Sequence, residues 1–413
     1  MEVGREQKVR DYVKERFAEY YRKNLHLIKP PPSHEKREYG FILFRERIMV
    51  RHKGFRNQDE LSKFIGETVP SDAYHSTAYY NSPHIENMGE KGWIGADLVF
   101  DIDADHIKTS CKKAHDSWIC RSCGHAGRGE APKVCPSCSA TKLEEETWLC
   151  EQCLEKAKDE TIKLMDVLTM EFGLSTDKLT INFSGHRGYH VHVRSEDLLE
   201  LGEEERKEIV DYILGLGLEP ELHGFHEGNV RGTKIIVGPK LTDLGWRGRI
   251  ARGFYETLAK PNFEAIGAGL RGDRMKALAE ARENWLQSES WGAFRGVGMK
   301  TLRKIVSKVV EERSIAVDTV VTTDTHRLIR LTGTLNGKTG LRVVEVKYGN
   351  LEAFDPFVEA VAFRGEETVF VEEAPSFRLG EQIFGPFRKQ KIKLPLEAAL
   401  MLICKKKAYP VAS

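Results

Sequence analysis

Along the chain the spacing of apolar residues changes character several times, and each change predicts a different kind of element. Residues 5–24 place apolar positions at helical intervals among charges, and Pro30, Pro31 and Pro32 stop that helix. EYGFILF and RIMVRHKGF read as two strands joined by the polar pair Arg45 and Glu46, with ELSKFIGETV a helix behind them. In ADLVFDIDAD, alternation sends Leu98, Phe100, Ile102 and Ala104 to one face and Asp97, Val99, Asp101, Asp103 and Asp105 to the other. An amphipathic helix over 154–172 then leads to the strands KLTINFS and YHVHVR. From 199 to 312 the stretches EEERKEIVDYILGLG, DRMKALAEARENWLQ and MKTLRKIVSKVVEER are helical, with glycine-rich connections. Strand-like sequence returns with SIAVDTVV, LRVVEVKYG and ETVFVEE. The pattern predicts an α/β (α+β) protein whose main domain comes in two parts, 1–198 and 313–413, around a helical insertion or subdomain at 199–312. No repeat of 20–50 residues is visible, which argues against solenoids and propellers.

Composition narrows the class. With 413 residues, 40% of them apolar and 9% aromatic, the chain has ample material for a core. Lys and Arg number 63 against 62 acidic residues, so affinity for a polyanion must come from local clusters. The charged N-terminus lacks a signal-peptide core, and AALMLIC falls short of the roughly 18 apolar residues that span a bilayer. A cytoplasmic protein with no membrane partner is expected.

Seven of the eight cysteines fall between Cys111 and Cys153, six of them as CxxC pairs, and in a reducing compartment that spacing points to metal. Cys120 and Cys123 with Cys135 and Cys138 make a zinc ribbon among turn-forming glycines and prolines. Cys111, His115, Cys150 and Cys153 make a second four-ligand set, so the insertion at 106–153 is expected to hold two structural zinc ions. The competing partition pairs Cys120 and Cys123 with Cys150 and Cys153. Cys404 stands apart and reads as a small buried hydrophobe.

Strands disfavour aspartate, so Asp101 and Asp103 ask for a reason. Two positions apart, they lie roughly 6–7 Å apart at Cα, within reach of a shared pair of divalent ions about 3.5–4 Å apart; the plain alternative is a solvated acidic edge. Asp318, in an apolar β-rich run, is the third candidate carboxylate, and Asp324 is its rival in a turn. Between two strands, Ser184, Gly185, His186, Arg187 and Gly188 form a small-polar turn whose glycines allow close approach of a phosphate and whose side chains donate to its oxygens. A polar hairpin would have the same composition. His190 and His192 form an HxH pair without an obvious third ligand. In FRGVGMKTLRKIV, Gly296 and Gly298 open a helix, either as a plain start or as a DNA-phosphate contact of the helix-hairpin-helix kind.

Taken in order, DLVFDIDAD, SGHRGYH and VDTVVTTDTHRLIRLTGTLNGKTG resemble the catalytic small subunit of the archaeal and eukaryotic type of DNA primase. EYGFILF, IMVRHKGF, AYHSTAYY and WLCEQCLEKAKDE extend the likeness over most of the chain. The resemblance implies a mixed β-sheet flanked by helices with a zinc-binding insertion. It also implies catalytic Mg2+ or Mn2+ on Asp101, Asp103 and Asp318. Ser184, His186, Arg187, His190 and Lys338 would contact the incoming nucleotide, with Arg51 and Arg330 beside them. Nucleoside triphosphates, a single-stranded DNA template and a separate large subunit, in a heterodimer, are the implied partners. The chain departs from the family pattern at His186, where SGRRG is usual, and at Thr332 and Asn336, where LPG followed by histidine is usual. The Cys120–Cys138 ribbon is an addition to the usual single knuckle. Three other functions compete with primer synthesis for replication: a primase-polymerase of repair or mobile elements, a metal-dependent nuclease, and a non-catalytic zinc-ribbon module binding nucleic acid.

Overall fold

The structure is a computed structural model that describes residues 2–44, 48–261 and 272–411; the expected connection at Arg45 and Glu46 lies outside the described residues. The chain divides into two compact units, one of Met1–Ile162, Leu174–Lys207 and Val317–Ser413, the other of Lys163–Gly173 and Glu208–Ala316.

In the first unit two four-stranded antiparallel sheets carry the functional residues. One has the order Leu328–Arg330, Asp72–Ser76, Tyr39–Ile42, Met49–Lys53; the other has the order Val344–Val346, Leu179–Phe183, Gly188–Val193, Leu98–Asp103. In the second sheet Asn182, His190 and Asp101 stand side by side across three strands, two register rows from Gly188 and Asp103. Alternation turns Phe100, Ile102, Tyr189 and Val191 into the core, each of them buried, and leaves the carboxylates on the other face. The first helix, Glu2–Asn24, buries Val13, Phe17, Tyr20 and Tyr21, a stripe at helical spacing. The helix Leu396–Cys404 is buried almost throughout and ends at Lys405. Cys404 itself is only half-buried, not the enclosed hydrophobe expected. The cysteine-rich insertion folds on a small sheet, Ser117–Cys120 between Ala126–Arg128 and Leu143–Glu146.

The second unit packs the helices Gly245–Ala259, Asp273–Ser288 and Met299–Arg313 around Phe254, Trp285, Trp291 and Phe294. It also holds a hairpin, His226–Val230 with Thr233–Val237. Two of these elements are absent from the sequence pattern. Three glycines interrupt the helical signal of GWRGRIARGFYETLA, and the hairpin strand HEGNV has no apolar face; its Arg231–Gly232 turn, both φ positive, closes it instead.

SIAVDTVV is not a strand. Asp318 donates its N–H to the carbonyl of Asp101 at 2.8 Å, and its side chain caps a short helix, Thr319–Thr323. The capping carboxylate satisfies the free amides of the first turn, which outweighs the β-propensity of Val320 and Val321.

Candidate active site

The acidic strand is less acidic on one face than its alternation implies. Asp97 is buried in an ion pair with Arg37 at 2.8 Å, and Asp105 lies beyond the strand in a turn, 3.0 Å from Arg187. Asp101 and Asp103 remain. The Asp318 N–H bond to the Asp101 carbonyl brings the third carboxylate to them from more than 200 residues away. Burial pushes the Asp101 carboxyl up to about 6, and the charge of Asp318 adds to that. Asp318 accepts from the amides of Val320 and Val321 through Oδ1, while its Oδ2 lies 3.6 Å from Nε2 of His106. Asp103 Oδ1 accepts from the amide of Asp105 at 2.9 Å. His190 Nε2 stands 3.5 Å from Asp101; burial above all holds this imidazole down to about 3, so it is neutral.

Beside the carboxylates, the turn 184–188 is shaped by backbone constraints. The amide of Ser184 donates to the carbonyl of Gly188 at 2.9 Å. Gly185 has φ +73°, and a Cβ on Gly188 would lie 2.1 Å from the carbonyl oxygen of Ile102, so only glycine lets this strand approach the acidic one. Asn336 Nδ2 donates to the Ser184 carbonyl at 3.1 Å, its Oδ1 accepts from the amide of Lys338 at 2.9 Å, and Thr339 Oγ1 donates to the Gly185 carbonyl. The departure at Asn336 therefore has a structural meaning: it locks the two loops together and presents Lys338, which is exposed.

The remaining cations are held differently. Arg187 is fully buried, its guanidinium paired with Asp105 at 3.0 Å and Asp116 at 3.2 Å, while its Nε makes no hydrogen bond. Arg330 is held by Asp72 at 2.6 Å and Arg51 by the buried Glu38 at 2.9 Å. His186 is buried and neutral, its Nε2 accepting from Lys405 Nζ at 2.8 Å. His192 is enclosed, stacked on His75, with neither ring nitrogen bonded, and it joins no ligand cluster among the described residues; the HxH reading is not assembled.

Both four-ligand sets of the insertion come together. Within each, all ligand atoms lie within 4.8 Å of one another. Cys120 and Cys138 sulfurs are 3.6 Å apart, Cys123 and Cys135 3.7 Å, Cys111 and Cys153 3.4 Å, and Cys153 lies 3.7 Å from His115 Nε2. Tetrahedral zinc with bonds of about 2.3 Å needs sulfurs about 3.8 Å apart, so both sets fit structural zinc, and the competing partition falls away. Asp116 binds the other nitrogen of His115 at 2.7 Å and so orients a ligand while it holds Arg187. Asp116, His106 and Lys405 are the neighbours that sequence reasoning missed. Asp116 adjoins a candidate ligand, the one signal that pointed to it; Lys405 sits in a lysine run that looks like a solvated end.

Three carboxylates converging beside a glycine turn rimmed with cations define the class, an enzyme of nucleotidyl transfer. A family model described as DNA primase small subunit matches residues 139–348. Proteins named DNA primase small subunit PriS are similar over nearly the full length. That of Nitrosopumilus maritimus is 31% identical, covering 96% of this chain and 97% of its own. That of Methanothrix thermoacetophila is 33% identical over 97% and 98%, and that of Archaeoglobus fulgidus 33% over 95% and 96%. The chain belongs to the DNA primase small subunit family. Among the described residues no helix is long and apolar enough to cross a membrane.

Proposed function

We propose that this chain synthesises primers for replication on single-stranded DNA from nucleoside triphosphates, as the catalytic partner of a large subunit in the cytoplasm, with its chemistry carried by residues 1–198 and 313–413. The observation that carries the reading is the convergence of Asp101 and Asp318 across one backbone hydrogen bond, where burial and the charge of Asp318 raise the Asp101 carboxyl even though Arg327, His106 and Arg330 oppose the rise.

Asp101, Asp103 and Asp318 would hold Mg2+ or Mn2+, which when bound activates a 3′-hydroxyl and offsets charge developing on the transferred phosphate. The remaining work belongs to the chain. Gly185 and Gly188 let backbone approach the triphosphate, and Ser184 and Lys338 supply donors to its oxygens. His190, neutral, supports Asp101 without competing for charge. Arg187 fixes Asp105 and, through it, the end of the aspartate strand, while Arg330 and Arg51 flank the site from the neighbouring sheet. The two cysteine sets hold zinc as structural ions.

The test is primer synthesis with labelled nucleotides on a single-stranded template, with and without the large subunit. Template-dependent products of the complex are expected; their absence under Mg2+ and under Mn2+ would overturn the reading.

A further inference from the structure

Lys405 follows the last turn of the buried helix Leu396–Cys404 as its C-cap residue. Its Nζ donates to the Thr147 carbonyl at 3.0 Å and to His186 Nε2 at 2.8 Å. Neither partner carries charge: one is a carbonyl, the other a buried neutral imidazole. No ion pair to Lys405 is recorded among the described residues, although Arg187, Arg330, Arg51 and Lys112 around the same unit all have carboxylates. Lys338 and Arg187 add positive potential to the place, and Asp105, the acid that opposes it, is already bound to Arg187. A half-buried ammonium without a counter-charge is unfavourable unless a ligand brings one.

Resting on the nucleotide-site reading given above, we propose that Lys405 is a phosphate-binding residue of that site, which with Lys338 takes the triphosphate of the incoming nucleotide and is aimed by its hydrogen bond to His186. The geometry also accounts for the turn itself. Arg187 shares its charge with Asp105 and Asp116, and position 186 carries an uncharged ring. A further cation, one without a carboxylate partner among the described residues, arrives from the end of the C-terminal helix. His186 acts as a positioning residue, accepting one Lys405 proton at Nε2 and leaving the others for phosphate oxygens.

Two measurements test this. The first is protection of lysines from an amine-acylating reagent, read residue by residue by mass spectrometry on the unmodified full chain. Inorganic triphosphate with Mg2+, and separately an adenosine triphosphate analogue with Mg2+, should each reduce Lys405 labelling severalfold, whereas single-stranded template alone should not. Equal labelling in all conditions, or protection by template only, overturns the assignment. The second compares Lys405→Met with Lys405→Arg by nucleotide KM, kcat and template affinity. Lys405→Met should raise nucleotide KM tenfold or more with kcat and template affinity nearly unchanged, and Lys405→Arg should recover most of the loss. If Lys405→Met fails to fold, the protection result decides alone. If the unmodified chain binds no triphosphate at all, the reading of the whole site fails; if it binds triphosphate with Lys405 unprotected, only the role of Lys405 fails.

Discussion

Arg187 lies in the turn 184–188 and Lys405 beside it, and the structure gives them different partners. Arg187 is enclosed by Asp105 and Asp116, so Arg187→Ala would leave Asp116, 5% exposed, with His115 and the Trp148 amide as its remaining partners; removal of one partner of a buried pair costs up to about 3–5 kcal/mol. A clear drop in denaturation midpoint is expected, and an unchanged midpoint with only a higher nucleotide KM would return Arg187 to the phosphate-binding role. Lys405 responds to pH instead. Burial, then Arg187 and Lys338, push its ammonium down to about 8, against Asp105 and Cys404, so the positive form is lost as pH rises through that value. Triphosphate affinity should therefore fall between pH 7 and pH 9, and the fall should flatten in Lys405→Arg, which keeps its charge; identical profiles would contradict this. Legibility at this scale was uneven. Asp101 and Asp103 stand out because aspartate is rare in strands, whereas Lys405 and Asp116 gain meaning only from partners distant in sequence, His186 and Arg187.

At the scale of elements, the alternation of ADLVFDIDAD and the CxxC spacing were readable, since each is a local pattern with a local cause. The helix at Thr319–Thr323 was not, because a contact with Asp101 and a side-chain cap decide it. The insertion offers a prediction that separates its halves. Substitution of Cys135 and Cys138 by serine should remove one zinc per chain and leave the rest of the first unit folded, since the inner set is closed on residues of the small sheet and its turns. Substitution of Cys150 and Cys153 should destabilise that unit, because Cys153 lies at the start of the helix Glu151–Met170 and within 3.8 Å of Arg187. Elemental analysis with thermal melts checks both; one zinc in the unmodified chain, or equal destabilisation by the two pairs, would contradict the partition.

For the molecule as a whole, the order of strands and helices read from the sequence follows the element order except at the helix Thr319–Thr323, the hairpin 226–237 and the helix Gly245–Ala259. The pairing of strands into two sheets was not legible, because register and sheet membership depend on contacts such as Asp72 with Arg330 that no local window contains. The central claim is that Asp101, Asp103 and Asp318 together form the catalytic site. Its most direct test is labelled nucleotide incorporation on a single-stranded template by the complex with the large subunit, comparing Asp318→Asn with Asp324→Asn. Asp324 accepts from the amide of His326 and caps the far end of the same short helix, which makes it a matched control. The account predicts that Asp318→Asn lowers incorporation at least about a hundredfold, roughly 2.7 kcal/mol or more of barrier, with folding intact, while Asp324→Asn stays within severalfold of the unmodified chain. Near-normal incorporation by Asp318→Asn, or loss confined to Asp324→Asn, would contradict it.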